Sequence, residues 1–258
     1  MEIIDDKNFD EVVSAIKKII DFNPDNYKKK PLRRRIWSRM RRFGIDNYED
    51  YTKLLLSDEE EARRLKKALT INLTRFFRNK EVFDYLRKEI LPSIKESSIW
   101  SAGCANGAEP YSLAILCCEL NLPCSILGTD IDQDSIKKAR GGIYDNFALQ
   151  EIDPSLKKRY FKRVKEGFRI ADEIKSLVEF QKLDLKDADY KKEFDLIICR
   201  NVLIYLSREF QKKILFLFYQ ALKNHGYLIL GKVESLTGDA RRLFYCIDIK
   251  NRIYEKKV

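Results

Sequence analysis

Apolar residues recur every three or four positions through the first third of the chain, which predicts amphipathic helices. The stripes are formed by Phe9, Val12, Val13, Ile16, Ile19 and Ile20, then by Leu32, Ile36, Met40 and Phe43, and then by Val82, Phe83, Leu86 and Ile90. Pro92 should end the last helix, because proline lacks the amide hydrogen that a helix interior needs. We therefore predict an all-α domain at residues 1–78, followed by a helix that opens the next domain.

From Ser97 onward, short apolar runs alternate with helical patterns. The runs that we predict as buried strands are SSIWSAG, SILGTD, LVEFQKL, FDLIICR and GYLILG. Strands that alternate with helices favour an α/β fold with a doubly wound, mostly parallel Rossmann-like sheet, which we place in residues 79–258. Alternation around Gly167 predicts a small antiparallel β insertion at about residues 156–177. The chain closes with a predicted β-hairpin.

Charge and composition narrow the kinds of partner and site. The chain has 50 lysines and arginines against 40 acids, a net charge of +10, which favours an acidic protein, a nucleic acid or an anionic membrane as partner. The six cysteines form no C-x-x-C pair and there is one histidine, so we expect no metal site. The acidic, polar start and the lack of a long apolar run predict a reduced cytoplasmic protein.

The first strand–turn–helix unit predicts a ligand site. Gly103, Ala105 and Gly107 form a G-x-A-x-G turn, and such small residues let the backbone approach a ligand at the N-terminus of the next helix. Asp130 ends the second strand, where a carboxylate can accept hydrogen bonds from both hydroxyls of a ribose. Asp130 or Asp132 could instead cap the following helix. The turn and the acidic strand end together favour a nucleoside ligand.

Further polar residues follow the third and fourth strands. Asp184 lies near the end of the third strand, within reach of an adenine amino group. Arg200, Asn201 and Tyr205 come just past the fourth strand, at the centre of the cleft that a doubly wound sheet forms. Tyr205 could instead be a core aromatic residue and Asn201 a turn residue.

Four motifs resemble one known family. The runs TINLTRFFR, WSAGCANGAEPYSLA, GTDID and FDLIICRNVLIYL match, in order and spacing, the CheR-type chemotaxis protein-glutamate O-methyltransferases. The runs LRRRIWSRMRRFGIDNYEDY and RYFKRVKEGFRIADEIKSLVEF are also similar to this family, the second at the place where its members carry a small β subdomain. The resemblance covers nearly the whole chain.

The resemblance implies an S-adenosylmethionine-dependent enzyme that converts glutamate side chains of transmembrane chemoreceptors into methyl esters, with S-adenosylhomocysteine as product and no metal. It implies a cytoplasmic monomer recruited to receptor arrays. The implied partners are the helical cytoplasmic region of a receptor and, in some members, a receptor's carboxyl-terminal peptide, with no nucleic acid. The cofactor residues that it points to are Asn72, Thr74, Arg78, Gly103, Glu109, Asp130, Asp184, Leu185, Arg200 and Asn201. Arg78 and Tyr205 are the catalytic candidates.

The sequence departs from the family pattern in three places. Asn106 and Ala108 stand where members usually have threonine and glutamate, and Asp184 stands where many have asparagine. An aspartate accepts a hydrogen bond from the adenine amino group but donates none to a ring nitrogen. We expect these changes to affect cofactor affinity rather than the fold.

The implied reaction is an in-line displacement at a methyl carbon. A glutamate carboxylate has a reference pKa of about 4.3 and is already ionised at neutral pH, so the site needs no general base. Asn72 and Thr74 would hold the methionine part of the cofactor, while Phe76 and Phe77 would pack the junction between the domains. Arg78 would hold either the cofactor carboxylate or the incoming glutamate, since its planar fork suits both.

The helix KKKPLRRRIWSRMRR is strongly basic, and no acid interrupts residues 27–43. The cations that we predict as its docking surface are Arg34, Arg35, Arg39, Arg41 and Arg42. A run of charge is usually a solvated face. Beside a site that modifies carboxylates, it would suit docking on the acidic helical region of a receptor.

Three other functions stay open. An S-adenosylmethionine-dependent nucleic-acid methyltransferase would use the basic helix on phosphates, although the motif CRNVLIY lacks the N-P-P-Y or D-P-P-Y run that grips an exocyclic amine. A non-catalytic receptor-binding or cofactor-sensing adaptor would keep its output when Arg78 or Tyr205 is replaced. A small-molecule carboxyl methyltransferase would leave the basic helix without a purpose.

Overall fold

The computed structural model describes residues 8–20, 22–70, 74–187 and 193–258. Its contacts divide the chain into two compact units. The helical unit comprises Met1–Ile71 and Tyr205–Ser207, and the sheet unit comprises Asn72–Ile204 and Arg208–Val258. Along the chain, the first division therefore falls after residue 71, whereas we predicted the boundary after residue 78.

The helical unit is built from amphipathic helices. In its described residues these are α1 (Phe9–Ile19), α2 (Lys29–Met40), α3 (Tyr48–Ser57) and α4 (Glu59–Leu69). The apolar stripes of α1 and α2 are buried in one core with residues of α3 and α4, so the predicted all-α unit is confirmed. Phe43 is the exception. Because α2 ends at Met40 and tightens into a 3-10 turn at Arg41–Phe43, the Phe43 side chain leaves the stripe and is 42% exposed.

A buried charge network joins α2, α3 and α4. Arg39 donates through Nε to Glu61 Oε1 at 3.0 Å, and through Nη2 to Glu61 Oε2. The Tyr51 hydroxyl donates to Glu61 Oε1 at 2.6 Å. Glu61 is fully buried, and burial, together with this carboxylate, raises the pKa of Tyr51. The partners satisfy charges that would be costly to bury alone.

The sheet unit alternates strands and helices. Its described strands are β1 (Ser97–Ala102), β2 (Cys124–Asp130), β3 (Ile143–Tyr144), β4 (Phe161–Val164), β5 (Gly167–Ile170), β6 (Val178–Lys182), β7 (Phe194–Cys199), β8 (Leu222–Leu230), β9 (Phe244–Asp248) and β10 (Ile253–Lys256). Its described helices are α5 (Lys80–Tyr85), α6 (Ala108–Glu119), α7 (Gln133–Gly141), α8 (Pro154–Tyr160), α9 (Asp172–Lys175), α10 (Arg208–Ala221) and α11 (Ala240–Leu243). Among all described residues, no helix combines the length and the apolarity that crossing a bilayer requires.

The large sheet has the order β6-β2-β1-β7-β8-β10-β9. Neighbours from β6 to β8 pair in parallel, whereas β10 pairs antiparallel with β8 and with β9. The predicted doubly wound, mostly parallel sheet with a closing hairpin is therefore confirmed. The chain runs outward from β1 on one side and from β7 on the other, so the order reverses between these two strands. Sheets of this class bind ligands at the carboxyl ends of such strands.

A small antiparallel sheet has the order β3-β5-β4. It confirms the predicted insertion, but β3 lies ahead of the predicted limits of about 156–177. Gly167 begins β5 with a φ of 140°. A Cβ atom at this position would collide with the carbonyl oxygen of Tyr144, so glycine allows the two strands to approach.

We predict that Glu61→Gln destabilises the helical unit by about 3 kcal/mol, because it leaves the Arg39 charge buried without an ionised partner. Amide hydrogen exchange in α2 and α4 would measure this loss. Glu60→Gln is the matched control, since Glu60 pairs with Arg63 and Arg64 at the surface, where an ion pair contributes about 1 kcal/mol or less. Equal exchange rates in the two variants would contradict the prediction.

Candidate active site

The turn after β1 packs closely against its own chain. Gly103 and Gly107 have φ values of 80° and 85°. A Cβ atom at Gly103 would collide with the side chain of Val202, and one at Gly107 would lie 2.8 Å from Cβ of Ala139. Glycine thus brings this turn against the segment that follows β7 and against α7. The tight turn predicted from the sequence is present at the carboxyl edge of the sheet.

Asp130 ends β2 and is 6% exposed. Its Oδ2 accepts a hydrogen bond from the Ala105 N–H at 2.8 Å, and its Oδ1 accepts one from the Asp132 N–H at 2.9 Å. Burial raises the pKa of this carboxyl to about 6. A carboxylate oxygen can accept more than one hydrogen bond, so Asp130 could also accept from a hydroxyl donor, as the predicted ribose contact requires.

Helix capping falls to the neighbouring aspartate. Asp132 accepts hydrogen bonds from the N–H groups of Asp134 and Ser135 and is the N-cap of α7. Of the two acids that could have capped this helix, the structure assigns the cap to Asp132. Asp130 instead holds the turn after β1.

Arg200 is the centre of a buried network at the carboxyl edge. Its side chain is 3% exposed, and its Nη1 lies 3.3 Å from Oε2 of Glu109. Its Nη2 donates to the Arg78 carbonyl oxygen at 2.8 Å and to Asn79 Oδ1 at 2.6 Å. Ser101 Oγ donates to the other Glu109 oxygen at 2.8 Å. Arg200 and Glu109, both predicted for the cofactor, therefore bind each other and fix the main chain at Arg78.

The two residues that lead into α5 are held differently. Asn79 has a φ of 64° and makes no side-chain cap, because its amide oxygen accepts from Arg200. The Arg78 side chain is half-buried. In the described part of the chain, no hydrogen bond or ion pair joins its guanidinium to another residue. Arg78 thus has a fixed main chain and a guanidinium available for an anion.

The segment after β7 depends on an acid that sequence reasoning missed. Glu234 is 3% exposed, and its carboxylate accepts hydrogen bonds from the N–H groups of Asn201 and Ile204 at 2.9 and 3.1 Å. Asn201 adopts a left-handed φ of 62°. The available signal was an acid three residues after the apolar run GYLILG, close to the end of a buried strand.

Asp184 and Leu185 follow β6 as predicted. Asp184 Oδ1 accepts from the Lys186 N–H at 3.1 Å, and its carboxylate lies 3.3 Å from Lys186 Nζ. Leu185 begins a 3-10 turn at Leu185–Asp187. The Leu183 N–H donates to the Asp130 carbonyl oxygen at 2.9 Å, which ties this segment to the end of β2.

The segment before α5 belongs to the core of the sheet unit. Asn72 lies outside the described residues, and Thr74 is half-buried. The Phe76 ring contacts the rings of Tyr144 and Phe161, with centroids 4.8 and 5.1 Å apart. The Tyr144 hydroxyl in turn donates to the Asn106 carbonyl oxygen at 2.9 Å, so this aromatic cluster supports the turn after β1.

Tyr205 belongs to the helical unit. Its carbonyl oxygen accepts from the Lys28 N–H at 2.8 Å, and the Ser207 N–H donates to the Asn26 carbonyl oxygen at 2.8 Å. The Arg35 guanidinium carbon lies 4.2 Å from the centroid of the Tyr205 ring. The helical unit therefore orients this predicted catalytic residue through α2 and the residues just before it.

The predicted docking surface on α2 needs a correction. Arg35 and Arg39 are 7% and 8% exposed. Arg39 pairs with Glu61, and Arg35 donates to the Leu69 carbonyl oxygen besides covering Tyr205. These two arginines are internal, so the prediction that they lie on a docking surface was wrong. The exposed cations of residues 28–43 are Lys28, Lys29, Lys30, Arg34, Arg41 and Arg42. We call Lys30, Arg34, Arg41 and Arg42 the basic surface.

The strand order, the small-residue turn after β1 and the buried acid at the end of β2 define a nucleotide-binding α/β protein. The chain belongs to the CheR methyltransferase family. Residues 7–70 match the family description "CheR methyltransferase, all-alpha domain", and residues 72–253 match "CheR methyltransferase, SAM binding domain". The resemblance inferred from the motifs is confirmed, and the protein is a methyltransferase that binds S-adenosylmethionine.

Curated relatives carry related names. A probable chemotaxis protein methyltransferase of Rhizobium etli is 34% identical over 242 residues, which cover 86% of this chain and 90% of that protein. A chemotaxis protein methyltransferase of Borreliella burgdorferi is 31% identical over 253 residues, which cover 89% of each. A solved structure of PKMT2 from Rickettsia typhi in complex with AdoHcy is 17% identical, with a TM-score of 0.41 over 61% of this chain and 26% of that chain, a likeness too distant to bear on function. The comparisons give no support to a nucleic-acid methyltransferase.

We predict that the affinity for S-adenosylhomocysteine falls as the pH drops through about 6, the pKa to which burial raises Asp130. The ionised carboxylate accepts from ribose hydroxyls, and protonation removes part of that capacity. Isothermal calorimetry at several pH values would measure the change. Asp130→Asn should bind S-adenosylhomocysteine weakly at every pH. If this variant showed the same decrease in affinity near pH 6, another group would be responsible for it.

Proposed function

We propose that the protein transfers the methyl group of S-adenosylmethionine to glutamate side-chain carboxylates of transmembrane chemoreceptors, forming methyl esters for sensory adaptation. In this proposal it acts as a cytoplasmic monomer that is recruited to receptor arrays. The family match and the names of the relatives support a methyltransferase of chemotaxis. The choice of a carboxylate as acceptor is supported by the residues around the carboxyl edge of the sheet.

The residues at this edge fit the cofactor. Asp130 offers a buried, ionisable acceptor for the ribose, and Asp184 and Leu185 follow the neighbouring strand, where the adenine would lie. The remaining residues that we propose around the cofactor are Asn72, Thr74, Gly103 and Asn201. When bound, S-adenosylmethionine supplies an electrophilic methyl group on a sulfonium. Glu109 and Arg200 would contribute by holding the main chain of Arg78.

The observation that carries the proposal is the state of Arg78. Its carbonyl oxygen is bound by the buried Arg200, while its own guanidinium has no hydrogen-bond or ion-pair partner among the described residues. An arginine whose main chain is fixed in this way can present its guanidinium to a planar carboxylate, which it binds through two parallel hydrogen bonds. The carboxylate would be that of the cofactor or that of the incoming glutamate.

The chemistry then needs orientation rather than proton transfer. A glutamate is ionised at neutral pH, since its reference pKa is about 4.3, so the residues have to align oxygen, methyl carbon and sulfur. Alignment of this kind supplies roughly 7–11 kcal/mol in favourable cases. Tyr205 would help to aim the acceptor. Its ring is covered by Arg35, whose Nε and Nη2 groups are buried without a hydrogen-bond partner among the described residues.

The basic surface is the proposed receptor-docking element, with Lys30 beside Arg34, Arg41 and Arg42 in place of the internal arginines. Its cations match the acidic helical region of a receptor that still carries free glutamates. A receptor's carboxyl-terminal peptide is a second proposed partner. On the small sheet the exposed Lys162 and Arg169 are direct cross-strand neighbours, and an anionic peptide would relieve the repulsion between them.

The proposed reaction is tested by incubating purified protein with methyl-labelled S-adenosylmethionine and receptor-containing membranes. We expect label on the receptor that is released by mild base as methanol, as a carboxyl ester requires. Base-stable label, or transfer to RNA or DNA in the same assay, would contradict the proposal. Label confined to small carboxylic acids would indicate the small-molecule alternative.

We predict that Arg78→Ala lowers kcat/KM for the receptor by roughly 100-fold, since a charge-assisted contact at a reacting group is commonly worth this much. Arg75→Ala is the matched control, because Arg75 pairs with Glu151 at 3.0 Å and should change kcat/KM little. Calorimetry with S-adenosylhomocysteine separates the two roles of Arg78. Weaker binding would assign it to the cofactor carboxylate, and unchanged binding to the glutamate. Equal activity of the two variants would contradict a role in transfer.

We predict that the double substitution Arg34→Glu and Arg41→Glu weakens binding to receptor membranes by about tenfold or more and reduces the dependence of binding on salt. The double substitution Lys212→Glu and Lys213→Glu, at exposed positions of α10, makes the same change in net charge and is the control. Fully methylated receptors should be bound less tightly than unmethylated ones, because each ester removes a negative charge. Tight, salt-insensitive binding to methylated receptors would refute docking through the basic surface.

A further inference from the structure

Glu234 lies in the loop after β8 and is bound entirely by main-chain donors in the described residues. Its Oε2 accepts from the N–H groups of Asn201 at 2.9 Å and Gly231 at 2.6 Å, and its Oε1 accepts from the N–H of Ile204 at 3.1 Å. Its own N–H donates to the Gly231 carbonyl oxygen at 2.8 Å. A side chain from one loop thus closes around the main chain of another.

The segment that it holds, residues 200–204, is what we call the post-β7 turn. This turn contains Asn201 in a left-handed conformation, which asparagine adopts more readily than most residues with a side chain. On its other side the turn meets Gly103, where a Cβ atom would collide with Val202. The carbonyl oxygen of Leu203 accepts from Gln211 Nε2 at 2.7 Å. The conformation of the post-β7 turn is therefore set by Glu234, the turn after β1 and α10.

The geometry requires a carboxylate rather than an amide. Three N–H donors converge on the two oxygens of Glu234, and both oxygens of a carboxylate can accept. Glutamine would place an NH2 group against at least one of these donors, which would leave a buried N–H unpaired. Burial raises the pKa of Glu234, opposed by the hydrogen bonds from the main chain.

Gly231 provides a second, independent way to disturb the same contact. A Cβ atom there would lie 2.5 Å from Oε2 of Glu234 and 2.9 Å from the main-chain nitrogen of Asn201. Alanine would thus push the carboxylate and the post-β7 turn apart without removing any polar group. Both changes act on Asn201 through the main chain.

We propose that Glu234 is a positioning residue for cofactor binding, which fixes Asn201 at the carboxyl edge of the sheet by holding the post-β7 turn. This inference rests on the proposed function, in which Asn201 contacts S-adenosylmethionine. Glu234 itself touches neither cofactor nor acceptor. Its effect should therefore appear in cofactor affinity, whereas the receptor would still be bound normally.

The test compares wild type with Glu234→Gln, Gly231→Ala and their combination. Calorimetry with S-adenosylhomocysteine gives the affinity, and methyl-transfer kinetics give kcat and both KM values. We expect each single variant to bind about tenfold more weakly or worse, with a raised KM for S-adenosylmethionine and an unchanged KM for the receptor. The double variant should lose less affinity than the product of the two single fold-changes, since both substitutions disturb the same contact. Glu255→Gln, which removes the carboxylate that bonds His225 on β10, should bind like wild type.

A merely structural role predicts a different pattern. A partly unfolded sample lowers kcat in proportion to the lost active fraction and leaves both KM values unchanged, and that pattern would overturn the proposal. Unchanged affinity in folded Glu234→Gln or folded Gly231→Ala would also overturn it, while the proposed function would stand. If Glu234→Gln does not fold, Gly231→Ala decides by the same readout. A folded wild type that binds no S-adenosylhomocysteine would overturn both proposals.

Discussion

The candidate site depends on the cost of burying one guanidinium. Arg200 ends the central strand β7 with its side chain 3% exposed, so its charge must be compensated inside the protein. Glu109 from the first turn of α6 supplies the counter-charge. The Arg78 carbonyl oxygen and Asn79 Oδ1 accept hydrogen bonds from Nη2 of the same guanidinium. One buried charge thereby fixes the start of α5, the start of α6 and the end of β7 relative to one another.

In the helical unit, the buried guanidinium groups of α2 are also compensated by polar or aromatic partners. Arg39 is buried because Glu61 and Tyr51 meet it, and Arg35 is buried between the Leu69 carbonyl oxygen and the Tyr205 ring. These two buried arginines order the unit, whereas Lys30, Arg34, Arg41 and Arg42 of the basic surface are exposed. We propose the exposed cations for docking on an acidic macromolecule.

The sequence predicted what depends on local periodicity. Apolar spacing predicted α1, α2, the parallel strands of the large sheet, the closing hairpin and the insertion around Gly167, because burial of a repeating face needs only neighbours in the chain. It did not predict α3 or the two-residue strand β3. Asp130 followed from the same reasoning, since its place at a strand end is local. The contacts of Arg39 and Glu234 did not follow, because their partners lie 22 and 33 residues away. Helical spacing alone cannot tell a solvated arginine from one that meets a distant acid.

A crystal structure with S-adenosylhomocysteine bound would show directly whether the cofactor lies at the carboxyl edge of the sheet. We expect the ribose hydroxyls on Asp130, the adenine beside Asp184 and Leu185, and the amino-acid part near Arg78 and Asn201. A ligand bound elsewhere on the sheet unit, or the same ligand with its ribose turned away from Asp130, would contradict this expectation.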